Sequence, residues 1–151
     1  MTALHEVIAP KDQTLWCGPT SISAVTGLDY MEVCEAIRLY RDDPAGCEIG
    51  AMCDHELVGV LGFLGWCTRS FDPFFGYSRL GRYIHTLSPF DHAEILTTAT
   101  HFTAISYTDM VDTKTCGKIV PLHMAPRMWT LIEHAIEVRP IRARARACIA
   151  A

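Results

Sequence analysis

The sequence predicts an α+β fold in which N-terminal helices are followed by a small antiparallel β-sheet. In the first half, apolar residues recur at helical spacing. From residue 93 onward, short segments rich in Ile, Val, Thr, Phe and Tyr alternate with turn-forming residues. The 151 residues contain no internal repeat and no low-complexity linker, so we expect one domain spanning residues 1–151.

Glycines and capping residues divide the helical half into three predicted helices. The first should begin at Cys17, where a Gly-Pro pair suits the first turn, and end at Gly27. Asp29 can cap a second helix. A third is expected at about residues 50–64. The helically spaced apolar residues of the second helix are Met31, Val33, Cys34, Ile37 and Leu39.

The remainder of the chain is predicted to form strands. The segment WCTRSF (66–71) precedes an irregular stretch at 72–92 that contains one short helix, YSRLGRYIHTL. The segments AEILTTA, HFTAISY, DMVDT and GKIVPL then predict a meandering antiparallel sheet. The tail IRARARACIA alternates with period 2, and we expect an exposed edge strand there, because arginines on an edge discourage aggregation.

Composition argues against two classes of function. The longest apolar run, LVGVLGFLGW, is shorter than the roughly 20 residues that a membrane span needs, and the N-terminus lacks the pattern of a secretory signal. We therefore expect a cytoplasmic protein without a membrane partner.

The net charge of −4 divides into −8 over residues 1–138 and +4 over residues 139–151. Four arginines without interleaved aromatic residues are weak evidence for a surface that binds nucleic acid, so nucleic acid is not an expected partner.

The cysteines argue against a disulfide framework and a zinc ribbon, because their number is seven and no two form a CxxC pair. Cys47, Cys53 and His55 lie close in sequence, but their spacing matches no standard zinc site. We expect neither a metal nor another cofactor.

Cys17 is the cysteine that its local sequence marks as a nucleophile. At the first turn of a helix, free N–H groups and the positive end of the helix dipole favour the thiolate. Such a thiolate needs a base, and the base needs a group that orients it. A hairpin that turns near residues 106 and 107 would place His101 directly opposite Asp112. Moving this turn by one residue would make the two residues diagonal neighbours.

A site for acyl transfer also needs donors for the oxyanion. The backbone N–H of Cys17 is one donor, and the side-chain amide of Gln13, four residues upstream, can supply another. Asp109 competes with Asp112 as the orienting acid but falls beside the predicted turn. Other polar residues are expected to lie on the surface or to serve in packing: Asp54, His55, His123 and His134.

Gln13 and the segments WCGPTSISAVTG, HFTAIS and MVDT resemble the small papain-like cysteine peptidases. This family includes bacteriocin-processing peptidases and short papain-fold proteins of bacteriophages and bacteria. The resemblance implies a papain-like fold in which Cys17 attacks a carbonyl and His101 acts as base and then as acid. It also implies that Asp112 orients His101 and that Gln13 completes the oxyanion hole. The chain departs from the family at Trp16, where the bacteriocin-processing enzymes usually have Asp, and its Gln-to-Cys spacing is shorter than in papain.

Two classes of function follow. The first is a cysteine hydrolase that cleaves an amide bond of a peptide or protein substrate through a thioester. The same nucleophile could serve deamidation or transamidation, because the cleft and not the triad selects the acceptor. The second is a papain-fold structural or binding component of a phage particle, in contact with other virion proteins and with little or no turnover.

Overall fold

A computed structural model describes residues 4–72, 92–98, 100–124 and 131–141. The helices come first, as α1 (Cys17–Thr26), α2 (Tyr30–Arg41) and α3 (Asp54–Phe63). The strands are β1 (Trp66–Phe71), β2 (Ala93–Thr98), β3 (His101–Ile105), β4 (Asp109–Val111), β5 (Val120–Pro121) and β6 (His134–Pro140). A short 3-10 helix, Leu122–Met124, follows β5. The predicted α+β class, with helices before an antiparallel sheet, is confirmed.

Capping residues explain where α1 ends and where α2 begins. Gly27 ends α1 in the left-handed conformation, with φ 75°, and its N–H donates to the carbonyl of Ser23. Asp29 caps α2 by accepting from the Met31 N–H at 2.8 Å, while Glu32 accepts from the Asp29 N–H at 3.1 Å. These reciprocal bonds satisfy N–H groups that the first turn leaves free, so both boundaries agree with the prediction.

The third helix begins later than the sequence predicts. Gly50, the expected start, has φ 65°, which a right-handed helix does not allow. Arg41 at the end of α2 holds the segment that follows, because its guanidinium donates to the carbonyls of Ile49 and Ala51. The same guanidinium pairs with Glu56 on α3. The chain therefore stays irregular as far as the first helical residue, Asp54.

The strands form one antiparallel sheet in the order β1-β6-β2-β3-β4-β5. The β1 prediction is confirmed, and β2 to β5 lie within the predicted segments. The strand β6, between β1 and β2, is not among the predicted strands, because the buried Glu137 interrupts its apolar pattern. The predicted helix at 77–87 and the predicted edge strand at 141–150 fall outside the described residues, apart from 141 itself.

The helices cover one face of the sheet and form the larger core there. Residues 18–25 of α1 are all buried, and α1 packs against β3. Adjacent residues of a strand point to opposite faces, so Ile95 joins the helical core while Leu96 joins a smaller cluster on the other face. The packing of α1 against β3 brings the start of the helix, Cys17, close to the start of the strand. No helix in the described part of the chain is long and apolar enough to span a membrane.

Candidate active site

The β3–β4 hairpin determines how His101 and Asp112 meet. Ala104 stands opposite Val111 in the ladder. Continuing this register places Thr103, and not His101, opposite Asp112, so the predicted direct pairing is wrong. The turn lies one residue later than predicted, because the Ser106 N–H donates to the Asp109 carbonyl at 2.9 Å. His101 and Asp112 are therefore diagonal neighbours on one face, which was the open alternative.

A hydrogen bond joins this diagonal pair. His101 Nε2 donates to Asp112 Oδ2 over 2.9 Å, and both side chains are buried. A diagonal separation is within reach of a ring as long as imidazole. The bond fixes the orientation of the His101 ring and leaves Nδ1 for a second partner.

The turn after β4 holds the Asp112 carboxylate. Its Oδ1 accepts from the backbone N–H groups of Lys114 and Thr115. Its Oδ2 accepts from the Thr103 hydroxyl at 3.2 Å as well as from His101. Burial raises the pKa of Asp112, but His101 and the two N–H groups outweigh burial and hold that pKa below its usual value. Asp112 is therefore an ionised acceptor.

Thr103 is a site residue that the sequence analysis missed. Its hydroxyl shares the oxygen Oδ2 with His101 and so helps to fix the carboxylate. The strand period could have identified it, because residues 101 and 103 of a strand point to the same face.

Cys17 lies at the first turn of α1, after an extended N-cap residue, Trp16. The side chain of His101 and the backbone N–H groups of Phe102 and Gly18 are the groups that act on the Cys17 thiol to favour its charged form. Burial raises the pKa of Cys17, but the interaction with His101, the Phe102 N–H and the His101 charge together bring it below the ordinary value. The thiolate is thus favoured beyond what the helix start alone would provide.

The imidazole of His101 connects the thiol to the carboxylate. Burial lowers the pKa of His101, but the hydrogen bonds and charges of Asp112 and Cys17 raise it to about 9. The arrangement therefore favours an imidazolium between a thiolate and a carboxylate at neutral pH. A sulfur nucleophile, a group that can hold its proton and an anion that orients this group are the components of covalent acyl transfer.

The other predicted oxyanion donor is not connected to this cluster. Gln13 is exposed in the loop before α1, and its backbone N–H donates to the Pro10 carbonyl at 3.1 Å. Its side chain makes no hydrogen bond within the described residues. It lines a polar pocket together with Trp16 and Tyr30. The structure thus brings together Cys17, His101 and Asp112. Gln13 lies outside this cluster, in the exposed loop before α1.

The remaining polar residues of the sequence analysis lie away from the cluster. His55 and His123 are exposed, and His134 hydrogen-bonds to Asp72 over 2.8 Å. Asp54 accepts from the Thr97 hydroxyl, while Asp109 accepts from the Thr108 hydroxyl. Within the described ranges, no three His, Cys, Asp or Glu side chains are grouped in a way that could hold a metal ion. Six cysteines of this part of the chain are free thiols.

The chain matches no known family model, and no curated protein is significantly similar to it in sequence. One solved structure that resembles it is the peptidase domain of Streptococcus ComA, a bi-functional ABC transporter involved in a quorum-sensing pathway. The two share 13% sequence identity, the match covers 93% of this chain and 100% of the ComA domain, and the TM-score is 0.49. At these values the similarity assigns neither a family nor a reaction to this chain.

Proposed function

We propose that this protein is a cysteine hydrolase that cleaves a peptide or amide bond of a peptide or protein substrate through a thioester intermediate. One observation supports the proposal above all others. His101 is hydrogen-bonded to Asp112 and interacts with Cys17, and this arrangement lowers the pKa of the thiol while raising the pKa of the imidazole.

In the proposed acylation step, the Cys17 thiolate attacks the carbonyl carbon of the scissile bond. A C–S bond forms and the carbonyl π electrons move onto the oxygen, which the Cys17 N–H can stabilise, with Gln13 as the candidate second donor. The C–N bond then breaks, and the amine leaves with a proton from the His101 imidazolium. Asp112 keeps the ring oriented throughout.

In the proposed deacylation step, neutral His101 takes a proton from water, and the resulting hydroxide equivalent attacks the thioester carbonyl. The C–S bond breaks, a carboxylic acid is released, and the Cys17 thiolate and the His101 imidazolium are restored. With an amine in place of water, the same step would give transamidation.

Digestion of a mixed peptide library, read by mass spectrometry, tests the proposal. The native protein should generate new peptide termini, and Cys17→Ala should generate none, because the attacking atom is gone. Cys53→Ala is the matched control, since Cys53 is an exposed thiol whose loss should leave cleavage unchanged. Equal digestion by the native protein and Cys17→Ala would refute the hydrolase.

One observation favours a second candidate function, that of a binding component that packs against other virion proteins. Leu39 on α2 and Phe63 on α3 are large apolar side chains that are 64% and 58% exposed, so each could be covered by a neighbouring protein. If this function holds, Cys17→Ala should enter the assembled particle as the native protein does. Leu39→Ser and Phe63→Ser should reduce incorporation; normal incorporation of both would contradict the binding function.

A further inference from the structure

The side chain of Tyr30 holds the loop that leads into Cys17. Tyr30 is the first residue of α2 and is buried. Its hydroxyl oxygen accepts from the Trp16 N–H at 2.9 Å, and its O–H donates to the Thr14 carbonyl at 3.3 Å. One buried phenol therefore fixes the loop on both sides of Leu15.

This loop joins Gln13 to Cys17, the two residues that carry the candidate oxyanion donors of the proposed function. The Trp16 carbonyl accepts from the Thr20 N–H at 3.0 Å. The Trp16 carbonyl and the Cys17 N–H belong to one planar peptide group. The hydrogen bond that holds the Trp16 carbonyl therefore also sets the direction of the Cys17 N–H. Tyr30 fixes the other side of Trp16, and its bond to Thr14 restrains the residue that follows Gln13.

The phenol keeps its proton under ordinary conditions. Burial raises the pKa of Tyr30 to about 12, although the Trp16 N–H acts in the opposite direction. The hydroxyl can thus donate to one backbone group and accept from another over the pH range of an enzyme assay. The reciprocal capping bonds of Asp29 and Glu32 hold the start of α2, where Tyr30 lies.

We infer that Tyr30 is a positioning residue for oxyanion binding: its hydroxyl orients the loop so that the Cys17 N–H and the Gln13 amide face the carbonyl oxygen of a substrate. The inference rests on the proposed function, because it concerns the same acyl transfer. It assigns Tyr30 a role distinct from those of His101 and Asp112, which act on the thiolate.

Two reactions of Cys17 separate these roles. With p-nitrophenyl acetate, the thiolate attacks the carbonyl carbon, a C–S bond forms through an oxyanion, and the C–O bond breaks as p-nitrophenolate leaves with the electron pair. With iodoacetamide, the thiolate displaces iodide from a CH₂ carbon and no oxyanion forms. The ratio of the acetylation rate to the alkylation rate at Cys17 therefore reports oxyanion binding and not thiolate content.

The test compares Tyr30→Phe with the native protein at pH 7, with modification of Cys17 located by peptide mass mapping. We expect the ratio to fall about tenfold, less than the loss of an oxyanion donor costs, because the donor is misaligned and not removed. Tyr40→Phe is the matched control, since it removes a phenolic hydroxyl from the other end of the same helix, and its ratio should equal that of the native protein.

Each other outcome overturns the inference. An unchanged ratio in Tyr30→Phe would show that the hydroxyl does not position the donors, while leaving the proposed function intact. An equal fall of both rates would assign Tyr30 a purely structural role. A native protein that is alkylated but never acetylated at Cys17 would overturn the proposed function and the inference together.

Discussion

Asp112, just after β4, and Glu137, in β6, are both buried carboxylates, but their partners differ. Asp112 accepts from His101 at the end of β3. Glu137, in β6, accepts from Arg69 at 3.0 and 2.6 Å and also from Arg139. Burial raises the pKa of Glu137, but the two arginines outweigh it and hold that pKa below the usual value, as His101 does for Asp112.

The difference between the two clusters lies in what the basic partner can do with its proton. A guanidinium does not lose its proton in proteins, so the two arginines hold the charge of Glu137 without exchanging a proton with it. His92 lies beside this cluster and, within the described residues, hydrogen-bonds to Arg139 and Glu94 and not to Glu137. An imidazole can gain and lose a proton near neutral pH, and His101 also contacts a thiol. A buried ion pair thus indicates chemistry only where it includes a titratable base that contacts a nucleophile.

The largest expected effect comes from Asp112→Asn. The oxygen of the new amide would stay on the N–H groups of Lys114 and Thr115, which places an NH₂ group against His101. His101 must then present a lone pair at Nε2 and carry its proton on Nδ1, which disfavours the imidazolium beside Cys17. We expect acetylation of Cys17 by p-nitrophenyl acetate at pH 7 to fall on the order of 10²- to 10³-fold.

Asp109→Asn is the control for this variant. Asp109 lies on the same hairpin, and its side chain accepts from the Thr108 hydroxyl, outside the Cys17 cluster. Its acetylation rate should match that of the native protein. If Asp112→Asn also matched the native rate, Asp112 would be no more than a structural anchor of its turn.

A smaller effect, on stability alone, is expected from Glu137→Gln. Arg69 and Arg139 stay largely in water when the charge is removed, because their side chains are 75% and 47% exposed. The free energy of unfolding should therefore fall by about 1 kcal/mol, as measured by urea denaturation. The rate of Cys17 acetylation should not change. If this rate fell while the folded fraction stayed constant, Glu137 would affect reactivity as Asp112 does, and the difference between the two clusters would be contradicted.

Local signals in the sequence were sufficient to predict α1, α2 and the position of Cys17 at the start of a helix. Gly27 and Asp29 act within one turn of the residues they cap, so their effect does not depend on the rest of the fold. The grouping of His101 with Asp112 was also predictable, because they share a hairpin, and a register shift by two residues keeps them on one face.

Features that depend on distant partners could not be predicted from local sequence. The strand β6 can bury Glu137 because Arg69, far away in the chain, pairs with it from the neighbouring strand β1. The late start of α3 depends on Arg41, which holds carbonyls of the preceding segment. The two bonds from Tyr30 to the loop before Cys17 likewise depend on the packing of α2 beside α1.

The most direct test of the thiolate–imidazolium pair is the pH dependence of Cys17 alkylation by iodoacetamide. The native protein is compared with His101→Ala, and alkylation of Cys17 is identified by peptide mass mapping. The native thiol should react well below pH 8.5, roughly the pKa of a free cysteine. In His101→Ala the profile should move upward, since burial raises the pKa of Cys17 and its main opposing partner is gone. Coincident profiles, or a native Cys17 no more reactive than the other cysteines, would contradict the pairing of Cys17 with His101.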